Sequence, residues 1–198
     1  MFIWAACASP EPVGGASAVS EVSEASDSVR QEAAAIAAAE AAAMSLGAAL
    51  RGRLQGAMSS GGPVQAVSAC ADEAQGLAAL ALRGARARAG RSSLRLRSAQ
   101  NEGPEWVEEW LRVQGERPAE GVRGISAAHL DGDVVVGRYL APISVEAACL
   151  NCHGESAQIP VAVQSVLSSR YPQDQATGYA LGDLRGAIWA EARVPVGL

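Results

Sequence analysis

The hydrophobic pattern changes period along the chain. From about Ser28 to Ser60, Leu46, Leu50, Leu54 and Met58 recur every fourth residue, which predicts a helix with one narrow apolar stripe. Most other positions in that stretch are alanine, the strongest helix former. Ala39, Ala43 and Gly47 are small enough to let another element approach closely. Gly61-Gly62 ends the helix, and Pro63 suits the first position of a second one. That helix runs to about Arg83, with Val67, Cys70, Ala74, Leu77 and Ala81 on one face. The pair reads as a helical hairpin.

Past residue 83 the pattern shortens. Arg83 to Arg91 reads as a basic connection with a solvated face. Ser92 to Ser98 alternates, Leu94 and Leu96 on one side and Arg95 and Arg97 on the other, which predicts a half-buried strand. Asn101-Glu102-Gly103-Pro104 breaks it and opens a short helix, Glu105 to Val113, anchored by Trp106 and Trp110. A strand over Val122 to Leu130, a turn at Asp131-Gly132 and a returning strand over Val134 to Leu140 make a hairpin that Pro142 should stop. Near Ser144 a short helix begins, another covers Ile159 to Ser169, Gly178 to Asp183 turns, and Arg185 to Pro195 is a last strand. Helices first and antiparallel strands afterwards predict an α+β domain. It is expected to span 29–198, with 1–28 a leader and solvated linker.

The chemistry concentrates in Cys149-Leu150-Asn151-Cys152-His153. Two cysteines two residues apart with histidine directly after form the attachment pattern of c-type haem. One helical turn brings both thiols to the two vinyl groups, and the next residue offers its imidazole to the iron. A redox Cys-x-x-Cys would open a helix beside a βαβ pattern, and a zinc site would need a second ligand pair. The chain has four Cys and two His in all, and the remaining ones are scattered. One covalently bound haem c is therefore expected.

Composition narrows the setting. Net charge is −5, which argues against a nucleic-acid surface. The basic residues are all arginine, which reads as coding bias rather than function. Covalent haem attachment takes place outside the cytoplasm in bacteria, so a periplasmic or other extracytoplasmic location follows. Strictly apolar runs of membrane-spanning length are absent, so no transmembrane helix is expected. Met1 to Ala6, then Cys7, then a Ser/Pro/Gly/Glu segment resembles the tail of a lipoprotein signal, truncated at its start. Cys7 is then a candidate lipidation site and membrane anchor, the alternative being a disordered tail with an incidental cysteine.

An iron bound by His153 needs a ligand on its other side or an open position. Cys70, His129, Met44 and Met58 are the candidates. His129 lies beside a turn, and Met58 belongs to an apolar stripe. Cys70 sits on an inward helix face, where a free thiol in an oxidising compartment needs a reason, although a structural buried cysteine is common. The residues alone leave that choice even. Haem propionates need cationic partners, for which Arg91, Arg95, Arg97, Arg138 and Arg185 are nearest by topology, Arg91 and Arg185 foremost.

Several segments together are similar to one family. They are Gly61-Gly62-Pro63 followed by Ala69-Cys70; Gly90 to Arg97 leading into Asn101, Pro104 and Trp106; Leu140-Ala141-Pro142-Ile143 before Cys149 to Gly154; and Ala176 to Tyr179 with Gly182 to Ala187. In this order they resemble the extracytoplasmic single-haem c-type domains with a PAS-like fold. Some of those domains precede histidine kinases or chemotaxis receptors, and a stand-alone cyanobacterial member accompanies photosystem II. The resemblance implies a haem between the helical hairpin and the antiparallel sheet, and a sulfur ligand from the cysteine after the Gly-Gly-Pro turn, here Cys70. A thiolate favours ferric iron and lowers the potential.

The expected function is low-potential, His/Cys-ligated electron transfer or redox sensing, served by an unidentified redox or signalling partner. A gas- or redox-driven ligand switch that signals through a partner is the alternative. A peroxidase-like haem enzyme is a further, less favoured alternative; it needs an open iron position and distal acid–base groups, of which His129 would have to supply one, and nothing in the sequence places it there.

Overall fold

The computed structural model describes residues 16–196, and Cys7 with the rest of the leader lies outside them. The first element, α1, spans Ala16–Ala81 and is broken at Gly62, whose φ of 69° and ψ of −165° lie outside the helical region. A positive φ is the conformation glycine supplies without a steric cost, and Pro63 then restarts the helix. The arms 16–61 and 63–81 run antiparallel. Arg53 Nε and Nη2 each donate to Glu73 at 2.6 Å, and Ser45 Oγ donates to the Ala81 carbonyl at 3.3 Å. The expected hairpin is present. Its first arm begins at Ala16, within the segment read as linker, because Ala, Glu and Ser sustain a helix without bulky apolar residues.

Four strands follow: β1 (Ala87–Ser92), β2 (Ile125–Asp131), β3 (Val134–Ser144) and β4 (Leu184–Pro195). They form one antiparallel sheet in the order β1-β4-β3-β2. Between them lie α2 (Glu105–Gln114), α3 (Leu150–His153) and α4 (Val161–Arg170). The architecture is α+β.

Each face of the sheet has its own partner. On one, Ala39, Ala42 and Ala43 of the first arm pack on Ala190 and Ala192 of β4, with Ala87, Ala89, Tyr139 and Ile188 around them. Approach is so close that a Cβ on Gly137 would stand 2.1 Å from the Ala35 carbonyl carbon and oxygen. On the other face, Val107, Trp110 and Leu111 of α2 pack against Leu140, Ala187 and Trp189, and the Trp106 and Trp189 rings meet edge to face.

Three expectations change. The strand predicted over Ser92 to Ser98 lies earlier, at Ala87–Ser92, in the segment read as a basic connection. Its alternation is of small residues and arginines, a pattern with little hydrophobic contrast. Residues 93–98 are irregular, and the expected sides are exchanged: Leu94 is exposed, whereas the Arg97 side chain is 12 % exposed and held in polar contacts. Pro142 does not stop β3, which continues to Ser144. Beyond Leu140, β2 no longer pairs with β3, so Pro142 needs no N–H on that side. Finally, Ser26–Ala81 contains a window of hydropathy 1.6 that meets the length and composition of a membrane span, contrary to the expectation of none. Its apolarity is mostly alanine, and Ala35, Ala39, Ala43 and Leu46 are buried against the domain.

Candidate functional site

The motif sits on a tightly wound turn. A 3₁₀ turn over Ala147–Cys149 runs directly into α3, so Cys149 and Cys152 lie one turn apart with His153 following. Both cysteines are free and half-buried. Glu146, two residues past Ser144, is the cap, and the Cys149 thiol accepts from the Glu146 N–H at 3.4 Å.

The turn is held from outside by backbone. The N–H groups of Gly178 and Tyr179 donate to the carbonyls of Gly154 and His153 at 2.8 and 2.9 Å. The two segments pass in opposite directions, and Gly178 adopts a positive φ of 76° there. Arg97 completes the frame. Its Nη2 donates to the carbonyls of Cys152 at 2.5 Å and Ala176 at 3.1 Å, while its Nε donates to Asp174 Oδ2 at 3.0 Å. Both side chains of that pair are about nine-tenths buried, at 12 % and 11 % exposure. At that depth each charge has the other as its counter-charge, so removing one strands its partner.

His153 is the most constrained ring in the site. Its Nδ1 lies 2.7 Å from the Ala176 carbonyl oxygen. A carbonyl only accepts, so Nδ1 carries the proton and Nε2 keeps its lone pair. Burial, and then the cationic Arg185 and Arg97, push its pKa down to about 2; the Ala176 bond opposes them, and Arg91 adds the smallest push downward. The ring is thus neutral, with a fixed tautomer and one free donor nitrogen, the state in which histidine binds metals. Tyr179 meets it edge to face at 6.3 Å.

The second arm of α1 faces this turn. Cys152 packs beside Val64 and Val67, with Ile159, Val163 and Leu167 behind and Tyr171 at the edge. Cys70, one turn beyond Val67, is half-buried and acts electrostatically on Cys152 and Tyr171, whose pKa values are raised chiefly by burial. The other candidate ligands lie elsewhere. His129 is exposed on the edge strand β2, Met44 is exposed, and Met58 packs on Ala57, Ala66 and Ala69.

The five arginines separate. Arg97 is committed to Asp174 and the two carbonyls. Arg95 donates to the Thr177 carbonyl, lies over the Tyr179 ring and faces Glu116. Arg138 pairs with Glu191 on the far face of the sheet. Arg91 and Arg185 have no carboxylate partner among the described residues. Both act electrostatically on His153. Asp174 and the Ala176 carbonyl, which organise the motif, went unrecognised in the sequence. They lie more than 20 residues past His153 and match no local pattern.

No curated protein of established function matches the chain. The crystal structure of the cyanobacterial haem protein Tll0287 is similar over 64 % of this chain and 71 % of its own, with 23 % identity and a TM-score of 0.47. The family model described as Tll0287-like matches residues 16–192, nearly the whole described chain, and on that match the chain belongs to the Tll0287-like family.

Proposed function

We propose that this chain binds one haem covalently, through thioethers from Cys149 and Cys152, with His153 Nε2 as an axial ligand. The observation that carries the proposal is the His153 ring: half-buried, neutral, its Nδ1 proton spent on Ala176, and joined by one turn to two free thiols. Those donors suit a haem better than a zinc ion, because no cluster of three or more His, Cys, Asp or Glu occurs among the described residues. Tll0287 itself is described as a haem protein, and haem is the group proposed here.

Cys70 is the proposed opposite ligand, from the helix arm that packs on Cys152. The porphyrin would then lie between that arm and the motif, at the PAS-like sheet's end. Arg91 and Arg185, lacking carboxylate partners, are the arginines proposed for its propionates. Bound haem supplies one-electron chemistry, and a thiolate ligand biases it toward the ferric state. The chain's contribution is to hold His153 in one tautomer, exclude water from it and set the cationic surroundings. Low-potential electron transfer or redox sensing outside the cytoplasm is the role this favours, with displacement of Cys70 by a gas as the second reading.

Protein matured in a periplasm with a c-type haem attachment system tests this. The expected mass includes one haem, lost when Cys149 and Cys152 are both changed to Ala. The expected ferric spectrum is six-coordinate, low-spin and thiolate-type, and Cys70→Ala should abolish the thiolate features. A high-spin spectrum that Cys70→Ala leaves unchanged would remove Cys70 as ligand. Carbon monoxide binding to the reduced protein with loss of Cys70 would favour the switch.

A further inference from the structure

Beside Tyr179 and the start of β4 lies a cleft of about 310 Å³. Cys149, Cys152 and His153 do not line it. Its walls are the 93–95 segment, the loop after α2 and the start of β4. Arg95, Arg117 and Arg185 all contribute, together with the hydroxyls of Ser93 and Tyr179.

Two of these cations are incompletely satisfied. Arg95 Nε is buried and makes no hydrogen bond. Glu116 Oε1 stands 3.3 Å from it, close enough for attraction but not aligned to accept its proton. Arg185 is half-buried, and its three acceptors are all uncharged: the Ser93 hydroxyl at 2.6 Å, the Arg95 carbonyl at 3.3 Å and the Tyr179 hydroxyl at 3.5 Å. All three bonds come from Nη1, so Nε and Nη2 hold no protein partner among the described residues. Partial burial lowers the Arg185 pKa, and no carboxylate pairs with it among the described residues. Of the two acids on the walls, Glu116 faces Arg95, and Asp183 accepts from the Ala180 N–H at 2.8 Å. Three guanidinium groups therefore face two engaged carboxylates across a space far larger than a water, which occupies about 30 Å³ of liquid.

We infer that this cleft is a binding site for a small oxyanion, a carboxylate or phosphate, held by Arg95, Arg117 and Arg185 with the Ser93 and Tyr179 hydroxyls. Planar guanidinium groups offer paired N–H donors that match such anions. The anion would lie against the Tyr179 ring, which meets His153 edge to face, so occupancy of the cleft would be felt at the motif. The inference goes beyond the haem reading, with which it shares Arg185, and survives without it through Arg95 and Arg117.

Isothermal titration calorimetry on the matured protein tests it, with inorganic phosphate and succinate in separate titrations at ionic strength fixed with sodium chloride. Saturable binding of one anion per chain is expected, the preferred probe distinguishing a phosphate from a carboxylate ligand. Arg117→Gln, an exposed change that should leave folding and the haem spectrum intact, should weaken binding roughly tenfold or more, and Arg95→Gln similarly. Absence of saturable binding for both probes, or equal affinity in both variants, overturns the site. Binding seen only when Cys149 and Cys152 are both Ala would overturn it too, because a propionate would then be filling the cleft. Loss of haem attachment with anion binding retained would instead count against the haem reading alone.

Discussion

The α1–sheet interface and the motif end are held together by opposite physics. At the interface, alanine and glycine bring backbone against backbone, and Ala35, Ala43, Ala190 and Gly137 leave no space for growth. Each buried methyl contributes only about 0.8 kcal/mol, so that region gains its rigidity from close approach over many residues. At the motif end Val67, Ile159, Val163 and Leu167 form an apolar backing for Cys152, but they do not orient the turn itself. Position is set by directional bonds from Arg97, Asp174 and the 176–179 backbone. Close packing fixes a surface without leaving room. Hydrogen-bonded arginines fix a turn and still leave an imidazole nitrogen and a cleft for other groups. A protein that must hold a cofactor benefits from having the second kind of region braced on the first.

That contrast can be broken from both sides. The largest effect is expected for Arg97→Gln, which strands Asp174 in a buried position and frees the Cys152 carbonyl. Breaking a buried pair costs about 3–5 kcal/mol, so urea unfolding should show a loss of that order, and haem incorporation should fall with it. An unchanged midpoint would mean the motif is held by backbone alone. Gly137→Ala comes next. Its Cβ meets the Ala35 backbone rather than a flexible side chain, so the first arm must lift, at about 3 kcal/mol by thermal or urea unfolding. A stable Gly137→Ala protein would show that the helix can slide on the sheet.

Ser92→Ala should have a smaller effect of about 1–2 kcal/mol. The buried Ser92 hydroxyl donates to Glu108 Oε1 at 2.6 Å, the same oxygen that accepts from the Gly103 N–H at 2.7 Å. It should loosen α2 and leave the haem spectrum alone, so a spectral change would show that the two faces communicate. Arg170→Gln is expected to be nearly silent. Its bonds to Asp72 at 2.5 and 2.7 Å tie α4 to the Cys70 arm, but both side chains are exposed, at 41 % and 55 %. Surface pairs contribute about 0–1 kcal/mol. A shift in the haem spectrum without a stability loss would mean that this pair positions Cys70.

The sequence by itself determined the helical hairpin, the β2–β3 turn, α2, the final strand and the motif. Each rests on a local signal: alanine propensity, Gly-Gly-Pro, Asp131-Gly132, Trp spacing, Cys-x-x-Cys-His. Local rules failed where environment overrode pattern. The strand Ala87–Ser92 lacks hydrophobic contrast because its inner side chains are alanines, chosen for contact with α1. The alternation of residues 94–97 was read with its sides exchanged, because Arg97 is drawn inward by an aspartate far along the chain. The tertiary structure alone decided which arginines have carboxylate partners, which nitrogen of His153 is protonated, and that the helix arm carrying Cys70 packs on Cys152. These are properties of distances between remote residues, and a charge or a proton is placed by its three-dimensional neighbours rather than by its neighbours in sequence.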